Sequence, residues 1–174
     1  RPGELETDLR RMSNTPRQAV QTADGIVWAV NPRNDSVIHL ANYLVHFAED
    51  FFRLTPIRCR LDVPADLPEI HLSTQHRHHL LLAVKEACNN VVRHSEASEV
   101  RLRIAIADRE FTITVEDNGK GFQVGTVPEG SDGLANIRQR MADLGGSLEL
   151  ASQPRQGTRV KLIAPLVQLT CPSE

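Results

Sequence analysis

The sequence predicts an α+β fold: a two-layer sandwich in which a mixed sheet of about five strands is covered on one face by helices. Three observations carry the prediction. Val100, Leu102, Ile104 and Ile106 alternate with Arg101, Arg103 and Ala105, and Phe111, Ile113 and Val115 alternate with threonines. Such period-2 patterning marks the two half-buried strands of a hairpin. From Ser73 or Thr74 to about His94, apolar residues recur at helical spacing instead, with Leu80, Val84, Ala87 and Val91 in one narrow arc. Finally, the order of elements is helix, helix, strand, helix, strand, strand, loop, helix, strand, strand, and hairpins broken by helices belong to α+β sandwiches.

In chain order, residues 1–14 are polar and read as an unstructured lead. Thr15-Pro16 opens a helix through Ala19, Val20, Ala23, Ile26, Val27 and Val30, which Asn31-Pro32 ends. Asp35 or Ser36 caps a second helix with Ile38, Ala41, Leu44, Val45 and Phe52 as its apolar stripe, stopped at Thr55-Pro56. Ile57, Cys59, Leu61 and Val63 form a strand, and the long helix and the hairpin follow. The stretch from Asp117 to Asp132 is a long Gly-rich loop, of the kind that is functional or mobile inside a compact domain. Leu134, Ile137, Met141 and Leu144 mark a further helix closed by Gly145-Gly146, and strands near 147–151 and 158–164 complete the sheet.

Composition narrows the function. A chain of 174 residues holds one domain with a proper core and a short appendage. A net charge of −2 gives no field toward nucleic acid or acidic lipid, and 4% aromatic residues leave little for stacking bases. Three scattered cysteines without a CxxC pair argue against a disulfide framework and a zinc site, and for a reducing compartment. The longest apolar run, Leu80 to Val84, is far too short to span a membrane. The absence of an initiating Met suggests a piece of a longer protein.

Four features carry candidate chemistry. On the long helix, Glu86, Asn90 and Arg93 fall within about 60° of one another at helical pitch, roughly opposite the apolar arc. A solvated helix face explains them; so does a carboxylate, a hard amide oxygen suited to Mg²⁺ and a guanidinium suited to phosphate, aligned toward a ligand. Asp117 shares strand parity with Phe111, Ile113 and Val115, so it points to the covered side, where a carboxylate needs a donor. Adenine's amino group would serve. The residues after it, Asn118-Gly119-Lys120-Gly121-Phe122, let backbone approach a ligand or simply turn. Gly133-Leu134 opens a helix whose free N–H groups suit phosphate or are simply capped by Asp132, and Thr158, which shares the covered face with Asp117, reads either as a ligand hydroxyl or as a plain strand residue after the hairpin glycine Gly157.

Together these residues resemble the catalytic ATP-binding domain of sensor histidine kinases, a branch of the GHKL ATPases, over roughly Ser36 to Leu166. Val84 to His94 resembles the N box, Asp117 to Phe122 the first glycine box, Gly133 to Arg140 the second and Gly157-Thr158 the third. The wording of the first and third of these stretches is similar to the subgroup paired with helix-turn-helix response regulators. The resemblance implies a GHKL fold at 35–168, preceded at 1–34 by the remnant of a second dimerisation helix and linker, with 169–174 as a tail. It implies ATP and Mg²⁺ as ligands. Asn90 would coordinate the metal, and Glu86 would order its water shell. Arg93 and His94 would touch phosphates. Asp117 would take the adenine amino group, with Thr158 helping through water. Gly119 and Gly121 would shape the floor beside Phe122, and Gly133 and Leu134 would meet phosphate at the base of a lid spanning about 123–132.

The activity implied is transfer of the ATP γ-phosphoryl group to a histidine on a dimerisation domain, for relay to a response regulator. The setting implied is a cytoplasmic domain of a homodimeric protein that can be anchored in the inner membrane, without nucleic-acid contact. Two departures stand out. Ser131 replaces the first glycine of the second glycine box. None of the seven histidines is followed by Asp or Glu, so the acceptor site of the family is missing and the chain alone is not expected to label itself. Two other readings compete: an ATP-driven clamp with Glu86 as general base, and an interaction module that has lost nucleotide.

Overall fold

The computed structural model describes residues 24–126 and 132–166. The polar lead, the expected helix over 15–23, Ser131 and the tail therefore lie outside the described residues. The described part of α1 is helical at 24–30. It is followed by α2 (Val37–Phe52), β1 (Arg58–Asp62), α3 (Thr74–Asn90), β2 (Glu99–Ala107), β3 (Glu110–Asp117), α4 (Asp132–Asp143), β4 (Ser147–Ser152) and β5 (Thr158–Pro165). The sheet has five strands in the order β1-β2-β3-β5-β4. β1 runs parallel to β2, and the other pairings are antiparallel, so the sheet is mixed.

Local sequence sets the element ends. Ser36 caps α2 by accepting from the His39 N–H, and Ser73 caps α3 by accepting from the His76 N–H. Asn31 accepts from the Arg33 N–H and opens a short 3₁₀ turn at Pro32–Asn34, where the proline forbids α1 from continuing. Past α4, Gly145 takes a positive φ of 67°, and the Gly146 N–H donates to the Met141 carbonyl at 2.9 Å, which closes the helix.

The helices lie on one face, α2 against β1, α3 against β3, and α4 against β4 and β5. Between the layers Leu102, Ile104, Phe111, Ile113 and Val115 pack against Leu80, Val84, Ile137 and Met141. The opposite face is polar: Arg60 pairs with Glu99, Arg103 with Asp62, Arg159 with Glu116 and Lys161 with Glu149, all at least partly exposed and individually worth little.

Two details differ from the sequence expectation. The buried stripe of α2 is Val37, Leu40, Ala41, Leu44, Ala48 and Phe52, while Ile38 and Val45 are only half-buried. The apolar arc of the helix is wide, since Tyr43, Phe47 and Phe51 also pack against the core cluster and only His39, Asn42, His46, Glu49 and Asp50 form its exposed polar face, so the spacing alone left its phase open. The long helix also stops being α-helical at Asn90 and continues as a π turn over Val91–Ser95. There the Ser95 hydroxyl donates to the Val91 carbonyl at 2.6 Å, and Glu96 in the left-handed region (φ 54°) ends the run.

Candidate functional site

The end of α3, its π turn, the end of β3, the loop after it, the start of α4 and the start of β5 enclose a cavity of about 410 Å³. Its lining contains Glu86, Asn90, Arg93, His94, Asp117, Gly121, Phe122, Gly133, Leu134 and Thr158, with Val115 and Val160 as apolar wall. Ten of the twelve candidate residues thus meet in one place. Gly119 and Gly157 do not line it; they back the wall, where the Ser95 and Asp117 carbonyls come too close for a side chain. His76, His78 and His79 sit on the first turns of α3, outside this cavity.

Asp117 follows from strand parity. It pairs in register with Val100 on one side and Thr158 on the other, and its side chain is 6% exposed. Its carboxylate accepts the Gly119 N–H at 2.8 Å. Burial pushes its pKa above the ordinary carboxylate value, the Gly119 and Thr158 N–H groups pull it partly back, and the Glu116 charge adds a small rise. A buried carboxylate held by backbone donors alone, at the wall of a cavity, is an acceptor suited to a ligand's N–H groups.

The glycine loop is tied down on both sides. Asn118 accepts the Ser98 and Glu99 N–H groups at 3.0 and 2.9 Å, and its amide donates to the Ser98 hydroxyl at 2.9 Å. The Lys120 N–H donates to the Ser95 carbonyl at 2.7 Å, and its ammonium pairs with Glu96 at 2.7 Å. These contacts join the loop to the end of the helix that carries Glu86 and Asn90. On the far side, Gly121 holds a positive φ of 57° against the Gln153 carbonyl, a conformation and a closeness that together exclude other residues. The next N–H, that of Phe122, donates to the Ser152 hydroxyl at 2.9 Å, and Ser152 also meets the Gly157 carbonyl and the Thr158 hydroxyl, both at 3.0 Å.

Glu86 and Asn90 are half-buried and face the start of α4. The Glu86 carboxylate occupies the space that a Cβ on Gly133 would need, and the Asn90 amide nitrogen lies 3.5 Å from the same point. The helix terminus at Gly133 and the polar face of α3 are therefore in contact. Arg93 and His94 are exposed on the π turn and still line the cavity. The set offers oxygen ligands at Asn90 and Glu86, a cation at Arg93 and backbone N–H groups at a helix terminus. That donor set fits a hard divalent cation bound together with phosphates. Sequence reasoning did not single out Ser95 and Ser152 or give Asn118 a role of its own. A short polar residue beside a helix end or glycine turn is the only signal each offers.

Comparison with known proteins follows this geometry. Residues 75–168 match the family described as histidine kinase-, DNA gyrase B-, and HSP90-like ATPase. The chain is 32% identical over 123 residues to the sensor histidine kinase LiaS of Bacillus subtilis, covering 71% of this chain and 33% of that protein. It is 33% identical over 106 residues to the sensor protein VraS of Staphylococcus saprophyticus, covering 61% of this chain and 30% of the relative. It thus spans about a third of the length of these relatives. Among solved structures, the ATP binding domain of PrrB from Mycobacterium tuberculosis superimposes with a TM-score of 0.59 at 30% identity, covering 72% of this chain and 92% of that one. The Erythrobacter litoralis EL346 blue-light activated histidine kinase shares the fold, with a TM-score of 0.70 at 22% identity over 90% of this chain and 56% of that one.

Proposed function

The chain belongs to the histidine kinase-, DNA gyrase B-, and HSP90-like ATPase family, and from that premise we propose that it is the ATP-binding catalytic domain of a two-component sensor histidine kinase. The observation that carries the reading is the buried Asp117 carboxylate across one cavity from the polar face of Glu86 and Asn90. Adenine's amino group donates to Asp117, and the apolar wall of Val115 and Val160 takes the ring. Asn90 would hold Mg²⁺ directly and Glu86 would hold it through water, and the charge neutralisation that the bound metal would supply falls along the phosphates. Arg93 and His94 reach phosphate oxygens, and the N–H groups at Gly133 and Leu134 receive the same charge where α4 begins. Gly119 and Gly157 let the backbone close behind the base. Phosphoryl transfer in such a site is chiefly positioning and electrostatic stabilisation.

The nucleophile is a histidine on a dimerisation domain at the N-terminal side, with 1–34 as its last helix and linker, 35–168 as the catalytic domain and 169–174 as a tail. A response regulator takes the phosphoryl group onward. The full-length protein is a homodimer whose catalytic domain works in the cytoplasm, with a membrane anchor elsewhere and no nucleic-acid contact by this chain. Among the described residues no helix is long and apolar enough to cross a membrane. The clamp reading, with Glu86 as general base, is not favoured, because the relatives reported above are sensor kinases. Incubation with radiolabelled ATP tests the proposal. The chain alone is expected to stay unlabelled, and to label a separate polypeptide carrying the upstream helix of its own kinase. Labelling of the chain alone, or none in the mixture, contradicts it.

A further inference from the structure

We propose that Ser95 is a positioning residue for the phosphate end of the site: its hydroxyl holds open the π turn from which Arg93 and His94 reach the cavity. This rests on the ATP-site reading above and adds to it the residue that sets how the helix end meets the nucleotide.

Helical pitch shows what the turn changes. Continued at α pitch, Ser95 would stand about 140° round the axis from Asn90. In a π turn the bonds run five residues back, so the fifth residue falls where the fourth otherwise would, one turn beyond Asn90. Ser95 accordingly lines the cavity with Asn90, Arg93 and His94. Its carbonyl accepts the Lys120 N–H at 2.7 Å and fills the space that a Cβ on Gly119 would need. The glycine loop therefore fits the π turn; an α-helical end would carry that carbonyl away from it.

The Ser95 hydroxyl is what favours this turn. The residue is 6% exposed, and its hydroxyl donates to the Val91 carbonyl at 2.6 Å and accepts the Ala97 N–H at 3.1 Å. The first bond sets a side-chain donor where an α-helix would place the N–H of the same residue, and such an insertion opens the i→i−4 ladder. The second reaches past Glu96, whose left-handed φ of 54° ends the helix. One proton and one lone pair serve the two bonds at once. Arg93 and His94 are exposed, and among the described residues neither side chain has a hydrogen-bond or ion-pair partner. The backbone of the turn alone therefore decides where they reach.

The test is a double-mutant cycle on Mg-ATP affinity, measured by calorimetry of the 174-residue chain. In the parent, Arg93→Ala is expected to weaken ATP about tenfold, the loss of one charged phosphate contact. Ser95→Ala should weaken ATP by about the same factor, and in that background Arg93→Ala should cost no more than about twofold. Ser95→Thr keeps the hydroxyl and should keep the full effect of Arg93→Ala. A merely structural role for Ser95 gives independent losses, so an undiminished effect of Arg93→Ala in the Ser95→Ala background overturns the proposal. So does an Arg93→Ala without effect in a parent that binds ATP. If Ser95→Ala does not fold, Ser95→Cys, with its weak donor, should shrink the effect of Arg93→Ala in the same direction, and an undiminished effect there counts against the proposal. A parent that binds no ATP defeats the ATP-site reading itself; a binding parent with independent losses defeats only the role of Ser95.

Discussion

At Asp117 stability and binding pull in opposite directions. The carboxyl is buried, and its pKa lies above the ordinary 3.8, so the folded chain holds that proton more tightly than the unfolded chain does. Its contribution to stability is then fully present below the unfolded value and is lost as pH rises through the folded one. At neutral pH the ionised group is a cost to the empty fold, which base binding would offset on the proposed reading. Asp117→Asn is accordingly expected to melt about 2 °C or more above the parent at pH 7, with the difference shrinking on acidification through that pKa. Nucleotide affinity of the parent should fall over the same acid range. Thermal melts and titrations at several pH values check both; a variant that melts lower than the parent at pH 7 would contradict the account. Parity along Phe111, Ile113 and Val115 made this residue legible in the sequence. Ser152 was not legible, because its partners Phe122, Gly157 and Thr158 become neighbours only when the glycine loop and the last hairpin meet.

Among the elements, α3 does two jobs at its two ends. Its last turns bring Glu86 and Asn90 to the cavity. Near its start, Arg77 is 2% exposed and donates to the carbonyls of Ala29, Asn31 and Leu72, fastening the end of α1 and the chain before α3. Burial lowers its pKa, with Asp35 opposing; the group stays a cation bonded to carbonyl oxygens. Arg77→Met leaves the Ala29 and Leu72 carbonyls without their side-chain donor, while Asn31 keeps the Asn34 N–H, and is expected to cost about 2–4 kcal/mol in urea unfolding. Nucleotide affinity should change little, since the cavity lies at the other end of the helix. Gly133→Ala should show the reverse pattern. Its methyl group would meet the Glu86 carboxylate, so ATP is expected to bind about tenfold more weakly, a change of about 1.4 kcal/mol, with near-parent stability. Helix and strand identities were readable because period 3.6 and period 2 dominate their segments. The π turn was not, because it depends on the Ser95 hydroxyl taking the Val91 carbonyl, a choice that periodicity does not record. Arg77 likewise read as an ordinary helix-start residue, its partners Ala29 and Asn31 lying across two intervening elements.

For the whole molecule, the sheet order β1-β2-β3-β5-β4 brings the ends of β3 and β5 together beneath α3 and α4. That adjacency converts four separated sequence stretches into one cavity. The fold class was visible in the sequence, since alternation and hairpin spacing are local. The strand order was not, because parallel pairing of β1 with β2 depends on α3 spanning between them. The central claim is that Asp117 holds the base while Asn90 holds the metal, and calorimetry of the whole chain with ATP and ADP, with and without Mg²⁺, tests it most directly. Asp117→Asn is expected to weaken ATP and ADP alike by about tenfold or more, whereas Asn90→Ala should remove mainly the Mg²⁺-dependent part of ATP binding. Equal affinities for the parent and both variants under all four conditions would contradict the account.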